Sequence, residues 1–205
     1  MVFVREFASP PFNINEILRY AGVRSQNEDV MPLVRECLSE VEGKLSFKAC
    51  YAEYPVTQIE ERTDLCFTDT ESKGLTKNLR GCSSAVIFAA TVGIGIDRLI
   101  ARYKAISPAK SLIFQAIGAE RIEALCDMIC AQIREEKRKA GYGTRPRFSP
   151  GYGDLPLDMQ KSIFSVLDCP KMIGVSLNES LLMSPSKSVT AVIGIYEMEK
   201  SEQKL

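Results

Sequence analysis

Between Ser107 and Lys139 the chain carries one apolar stripe long enough to dictate what the rest must pack around. Leu112, Ile113, Ala116, Ile117, Ile122, Leu125, Cys126, Ile129, Cys130 and Ile133 recur at helical spacing. Pro108 suits the first turn of such a helix, with Ser107 as its N-cap. The spacing predicts one long helix running to Lys139, with Gly118 as a point where it loosens. At about 100° per residue, Glu123 falls at the edge of the stripe beside Cys130, and Asp127 lies farther toward solvent. A carboxylate at Glu123 is half-buried and can face a cleft, although the pattern alone favours the ordinary border acid of a solvated helix.

The flanking segments predict helices and strands in blocks. Met1 to Pro11 reads as a short strand or an arm. Asn13 is an N-cap candidate for a short helix from Ile14 to Tyr20 ended near Gly22, and Asn13 with Glu16 resembles a capping box. A second helix is expected from Asn27, with Val30, Leu33, Val34, Cys37, Leu38 and Val41 apolar and Gly43 at its end. Phe47, Ala49 and Tyr51 alternate, which predicts a strand or hairpin running to Glu60. Leu65-Cys66-Phe67 reads as a further strand, Thr70 to Lys73 as a loop, and Leu75 to Leu79 as a helical turn. Ala85 to Ala90 is a buried strand by composition. Pro156 to Leu167 reads as a helix broken by Cys169-Pro170, and Ile173–Leu177 and Ser188–Tyr196 as strands, ahead of a polar tail from Glu199. Helices, strands, a long helix, then strands favour α+β over regular β-α-β alternation.

Composition removes several kinds of chemistry. The 205 residues include no histidine, so a Ser-His-Asp triad, a His-ligated zinc and an axial imidazole are all excluded. Formal net charge is zero, which predicts no general attraction to nucleic acid or to an anionic membrane. The longest apolar run, Ala85 to Ile96, is too short to span a bilayer. Seven cysteines, an odd number with no Cys-x-x-Cys pair and no signal peptide pattern before them, read as reduced thiols of a cytoplasmic protein. Cys126 and Cys130 share a helix face and read as buried thiols rather than half a metal site.

Two glycine-bearing stretches are candidates for ligand contact. Thr91-Val92-Gly93-Ile94-Gly95-Ile96-Asp97-Arg98 runs from a strand into a helix, but Arg98 stands where a dinucleotide fingerprint needs a third glycine. A tight strand-to-helix turn is the simpler expectation. Arg145-Pro146-Arg147-Phe148-Ser149-Pro150-Gly151-Tyr152-Gly153-Asp154 should be extended and then sharply turned, since proline fixes φ and glycine permits positive φ. A guanidinium beside such a bend suits a small ligand with a carboxylate or phosphate. By composition alone, a connector with solvated arginines is the simpler expectation.

The C-terminal third carries two ordered motifs. Arg147-Phe148-Ser149-Pro150-Gly151-Tyr152 is followed by a helix, and then by Ile173-Gly174-Val175-Ser176-Leu177-Asn178-Glu179-Ser180-Leu181-Leu182-Met183-Ser184-Pro185-Ser186-Lys187-Ser188-Val189. This resembles the activation domain of cobalamin-dependent methionine synthase, with its Arg-x-x-Pro-Gly-Tyr and Leu-Thr-Glu-Ser-x-x-Met-x-Pro-x-x-Ser-Val motifs. Asn178 replaces the family's threonine. Glu16 to Gly22, Cys82 to Gly93 and Gly118 to Glu123 are similar to segments of free-standing members.

The resemblance implies an antiparallel sheet packed with helices, one of them long and central. It implies one domain over 1–205, with an N-terminal helical part at 1–45, sheet plus helices at 46–205, and the ligand loop at 145–154. It also implies S-adenosylmethionine as ligand, contacted by Arg147, Ser149, Gly151 and Tyr152, with Glu123 as the family's acid on the long helix. No residue of this chain is assigned to the family's N-terminal aspartate. The implied role is reductive reactivation of cob(II)alamin. The expected partners are a separate cobalamin-binding methionine synthase and a flavodoxin- or ferredoxin-like one-electron donor, with this chain as an accessory subunit. Two alternatives stand beside it: an activator of another corrinoid methyltransferase, and a non-catalytic S-adenosylmethionine-sensing regulator.

Overall fold

The computed structural model describes residues 1–23, 29–60 and 62–198. In chain order the elements are β1 (Phe3–Phe7), α1 (Ile14–Tyr20), α2 (Met31–Val41), β2 (Phe47–Pro55), β3 (Thr57–Ile59), β4 (Arg62–Asp64), β5 (Asp69–Thr70), α3 (Lys73–Asn78), β6 (Ser84–Thr91), α4 (Gly95–Ile106), α5 (Pro108–Lys139), β7 (Tyr142–Thr144), α6 (Met159–Leu167), α7 (Cys169–Ile173), β8 (Ser176–Leu177), β9 (Met183–Ser184) and β10 (Ser188–Glu197). Five strands form one antiparallel sheet in the order β1-β2-β6-β10-β7, beside a small β3-β4-β5 sheet and a β8-β9 pair. The α+β architecture expected from the sequence is the one observed.

Strand β6 explains its own composition. Val86, Phe88 and Ala90 point to one face and pack with α1, α2, α4 and α5; Ala85, Ile87 and Ala89 point to the other, against α3, α6 and α7. An antiparallel strand covered on both faces reads as a continuous apolar run rather than an alternating one. The long helix α5 lies on the first face and buries Ile117, Ile122, Leu125, Cys126, Ile129 and Ile133. Ser107 caps it, with Oγ accepting from the Lys110 amide at 3.4 Å. Gly118 does not loosen it: a Cβ there would stand 2.9 Å from Lys187 Cγ and Cε, so the glycine serves the close passage of that side chain.

Elsewhere the structure departs from expectation. Asn13 Oδ1 accepts from the Glu16 amide at 3.2 Å, but the reciprocal half of the capping box is missing. The Glu16 carboxylate takes Arg19, and the Asn13 amide donates to Glu120 Oε1 at 3.2 Å. The expected start of the second helix at Asn27, and the tail from Glu199, lie outside the described residues. Leu65-Cys66-Phe67 is a turn, not a strand, because Asp64 Oδ1 accepts from the Cys66 amide at 2.7 Å and holds Cys66 at φ 69°. Asp168, at φ 49°, breaks the helix before Cys169; Pro170 then occupies the first turn of α7, and only Ser176–Leu177 of the expected strand is extended. Among the described residues, no helix is long and apolar enough to cross a membrane.

Candidate functional site

The loop after β7 owes its geometry to one extra residue. Thr144 pairs with Ile195, and Phe148 pairs with Val192. Four steps on the loop strand therefore face three on β10, the signature of a bulge, and Pro146 lies inside it. A bulge reverses the alternation of side chains. Arg145 keeps to the face of Gly194, Leu79 and Cys82, where its guanidinium lies 4.6 Å over the Tyr196 ring and Nη2 donates to the Arg80 carbonyl at 3.0 Å. Arg147 is delivered to the opposite face, against α5.

There Arg147 meets two carboxylates of α5. Its Nη2 donates to Glu123 and its Nη1 donates to Asp127 Oδ1 at 2.8 Å. Residues four apart on a helix share a face, so one guanidinium spans both. Burial opposes the charge on Arg147. The Glu123 and Asp127 carboxylates favour it, and its pKa is raised. Burial pushes the Cys130 thiol up, offset in part by Arg147. Cys126 is buried as expected and Cys130 only half-buried, and burial keeps both thiols protonated beneath the ion pair.

The remaining loop is a compact turn. Gly151 adopts φ 84°, its amide donates to the Leu155 carbonyl at 2.9 Å, and the Tyr152 amide donates to the Ser149 carbonyl at 3.1 Å. The Tyr152 side chain is 73% exposed, edge-on to Phe148 at 6.3 Å. Asp154 closes the turn onto the start of α3. Its carboxylate accepts from Ser72 Oγ at 2.6 Å, the Lys73 amide at 2.7 Å and the Gly74 amide at 3.1 Å, and these bonds hold its pKa below the usual carboxylate range.

A cleft of about 810 Å³ adjoins the pair, walled by Pro10 to Glu16 and Tyr20 on one side and by α5 on the other. Glu123 and Asp127 line it, together with Glu120. Arg147, Ser149, Gly151 and Tyr152 are not among the described residues of its wall. The structure thus brings Arg147 to Glu123, and leaves Ser149, Gly151 and Tyr152 on the adjoining turn. Sequence reasoning passed over three residues here: Asp127, assigned to solvent, and the buried pair Glu120 and Arg121. The Arg121 guanidinium is fully buried, donates from Nε to Glu120 at 2.5 Å and reaches the carbonyls of Pro10 at 2.5 Å and Pro11 at 2.8 Å, which fixes the N-terminal wall. The signal was available: Glu120, Glu123 and Asp127 follow the three- and four-residue spacing of one helix face.

An antiparallel sheet clad by helices on both faces, with a bulged arginine loop meeting the acids of one long helix, defines a domain of α+β class. Residues 56–201 match the family described as vitamin B12 dependent methionine synthase, activation domain. The chain belongs to that family. Its fold is similar to the crystal structure of the MetH reactivation domain bound to AdoHcy, with a TM-score of 0.68 and 18% identity over 98% of this chain and 80% of that one. No curated protein sequence matches the chain.

Proposed function

We propose that the chain, acting as one activation-domain unit, binds S-adenosylmethionine between the Arg147 loop and α5. There it presents the methyl group for reductive methylation of cob(II)alamin held by a separate cytoplasmic methionine synthase. The observation that carries this reading is the Arg147 guanidinium held against Glu123 and Asp127. Of the five N–H donors of a guanidinium, two are engaged by these acids, which leaves the others for the ligand carboxylate. Glu123, at 43% exposure, can take the ligand ammonium. A zwitterion offers opposite charges side by side, and so does this pair. Tyr152 supplies an exposed ring that can lie near the sulfonium, worth on the order of 0.5–2 kcal/mol. Gly151, without a Cβ, lets the main chain approach. The loop amides of Gly151 and Tyr152 are consumed by the turn, so ligand contacts from this segment fall to carbonyl oxygens and side chains.

Cobalamin would be carried by the partner protein, where its cobalt would take the methyl group, and the one electron needed would come from a flavodoxin- or ferredoxin-like donor. The residues of this chain do not fit a cobalt site: there is no histidine, and the described residues contain no cluster of three metal-ligating side chains. Its own contribution is orientation of the sulfonium methyl, which needs no general base.

Isothermal titration of the full chain with S-adenosylmethionine tests the reading. Saturable one-to-one heat, weakened at least about tenfold in Arg147→Ala, is expected. Absence of heat, or an Arg147→Ala variant that binds as the native chain does, removes it.

A further inference from the structure

We propose that Asp127 makes the ligand site selective for a sulfonium over the corresponding thioether. This rests on the reading of the site given above and extends it to the choice between substrate and demethylated product.

The inference comes from charge pairing around the cleft. Among the described residues its wall carries the carboxylates of Glu16, Glu120, Glu123 and Asp127 and no basic side chain. Two of these are matched from behind: Glu16 by Arg19, with Nη2 at 2.5 Å, and Glu120 by Arg121, with Nε at 2.5 Å. The other two share a single cation. Arg147 donates to both Glu123 and Asp127, so this pair keeps one surplus negative charge at contact distance. S-adenosylmethionine brings a carboxylate, an ammonium and a sulfonium, a net charge of plus one. The thioether left after methyl loss is a neutral zwitterion. The amino-acid ends of the two ligands are identical, so their charges cannot discriminate. Only the sulfonium meets the surplus, and methyl transfer abolishes that attraction.

Asp127 rather than Glu123 is the residue that sets the surplus. Glu123 lines the cleft one turn deeper and is assigned to the ammonium. Asp127 is 78% exposed and acts at longer range through its charge. Conversion of Asp127 to asparagine keeps an oxygen able to accept from Arg147 Nη1, so the guanidinium stays oriented while the site becomes neutral. That separates a selectivity role from simple support of Arg147.

The test is titration calorimetry on the full chain with S-adenosylmethionine and with S-adenosylhomocysteine, for the native chain, Asp127→Asn and Asp127→Glu. The native chain is expected to prefer the sulfonium. Asp127→Asn is expected to lower the affinity ratio about fivefold by weakening the sulfonium ligand, with the thioether within about twofold of native. Asp127→Glu keeps the ratio, and the native ratio falls as ionic strength rises from about 0.02 M to about 0.3 M. An unchanged ratio in Asp127→Asn overturns the inference, and so does an equal loss for both ligands, which would make Asp127 only a prop for Arg147. In either case the proposed function stands. If the native chain binds neither ligand, the site and the inference fall together.

Discussion

Arg145 and Arg147 stand two residues apart and on opposite faces of one sheet. In a regular strand they would share a face. The extra residue between the Thr144–Ile195 and Phe148–Val192 pairs separates them. Arg145 is spent on the Tyr196 ring and the Arg80 carbonyl, and Arg147 faces the acids of α5.

The two arginines should therefore trade roles under substitution. Arg147→Ala is expected to lose S-adenosylmethionine affinity by about ten- to a hundredfold, as for a charge-assisted hydrogen bond of about 1.5–3 kcal/mol. Its folding stability should change by less than about 1 kcal/mol, because the acids it leaves are partly solvated. Arg145→Ala should do the reverse, with about 1 kcal/mol of stability lost and affinity within about twofold. Calorimetry and urea denaturation on both variants check this. Equal affinity losses would mean that the bulge does not sort the two side chains.

The buried pair Glu120 and Arg121 offers a sharper energetic contrast. Arg121→Met strands the buried Glu120 carboxylate without its cation and removes the donors to the Pro10 and Pro11 carbonyls. Breaking one side of a buried ion pair costs about 3–5 kcal/mol. Replacing both partners with apolar residues avoids the stranded charge, so Glu120→Leu combined with Arg121→Met should recover at least about half of that loss. A urea-denaturation cycle over the single and double variants measures it; a double variant that loses as much as the sum of the singles would contradict this account.

What the sequence disclosed follows from how local each signal is. Helix α5 was legible because its stripe, its N-cap and Pro108 are all read within the segment itself. Strand β6 was legible as an unbroken apolar run. The register of the Arg145–Phe148 segment was not, because a bulge is defined by the partner strand and Pro146 gives no sign of which residue is extra. Asp127 was placed toward solvent by its angle on the helix, correctly for its own side chain, but a long guanidinium reaches around to meet it. Glu120 and Arg121 escaped notice because neighbours in sequence do not face each other on a helix; they pair only because the Pro10–Asn13 segment closes over both. Asp168 took over the helix break assigned to Cys169-Pro170, since proline fits the first turn of a new helix as readily as it ends an old one.

The turn that carries Arg147 should loosen in acid before the sheet does. Bonds from Ser72 Oγ, the Gly74 amide and the Lys73 amide hold the Asp154 carboxyl low. A folded-state pKa below the unfolded value contributes stability above the unfolded value, and that stability is lost as pH falls through the folded one. The unfolded value is about 3.9. Asp154→Asn should then unfold at a lower urea midpoint than the native chain at about pH 6, with the gap narrowing as pH falls from about 5 to below 3. A gap that stays constant across this range would show that the carboxylate charge is not what holds the turn to α3.

Gly95 decides between two readings of the strand-to-helix turn after β6. A glycine kept for a nucleotide phosphate would face open space. In the structure a Cβ at Gly95 would stand 1.9 Å from the Lys44 carbonyl oxygen and 3.4 Å from Lys44 Cβ. The space is thus occupied by backbone between α2 and β2, which cannot yield as the end of a flexible side chain can. Gly95→Ala should therefore be destabilised by about 1–3 kcal/mol, the usual cost of overpacking, with S-adenosylmethionine affinity within about twofold, since Arg147 and α5 are untouched. Thermal denaturation and calorimetry on the one variant give both numbers. Native-like stability would mean that the loop after α2 can move away from the turn, and would reopen that turn as a place where a phosphate could approach the start of α4.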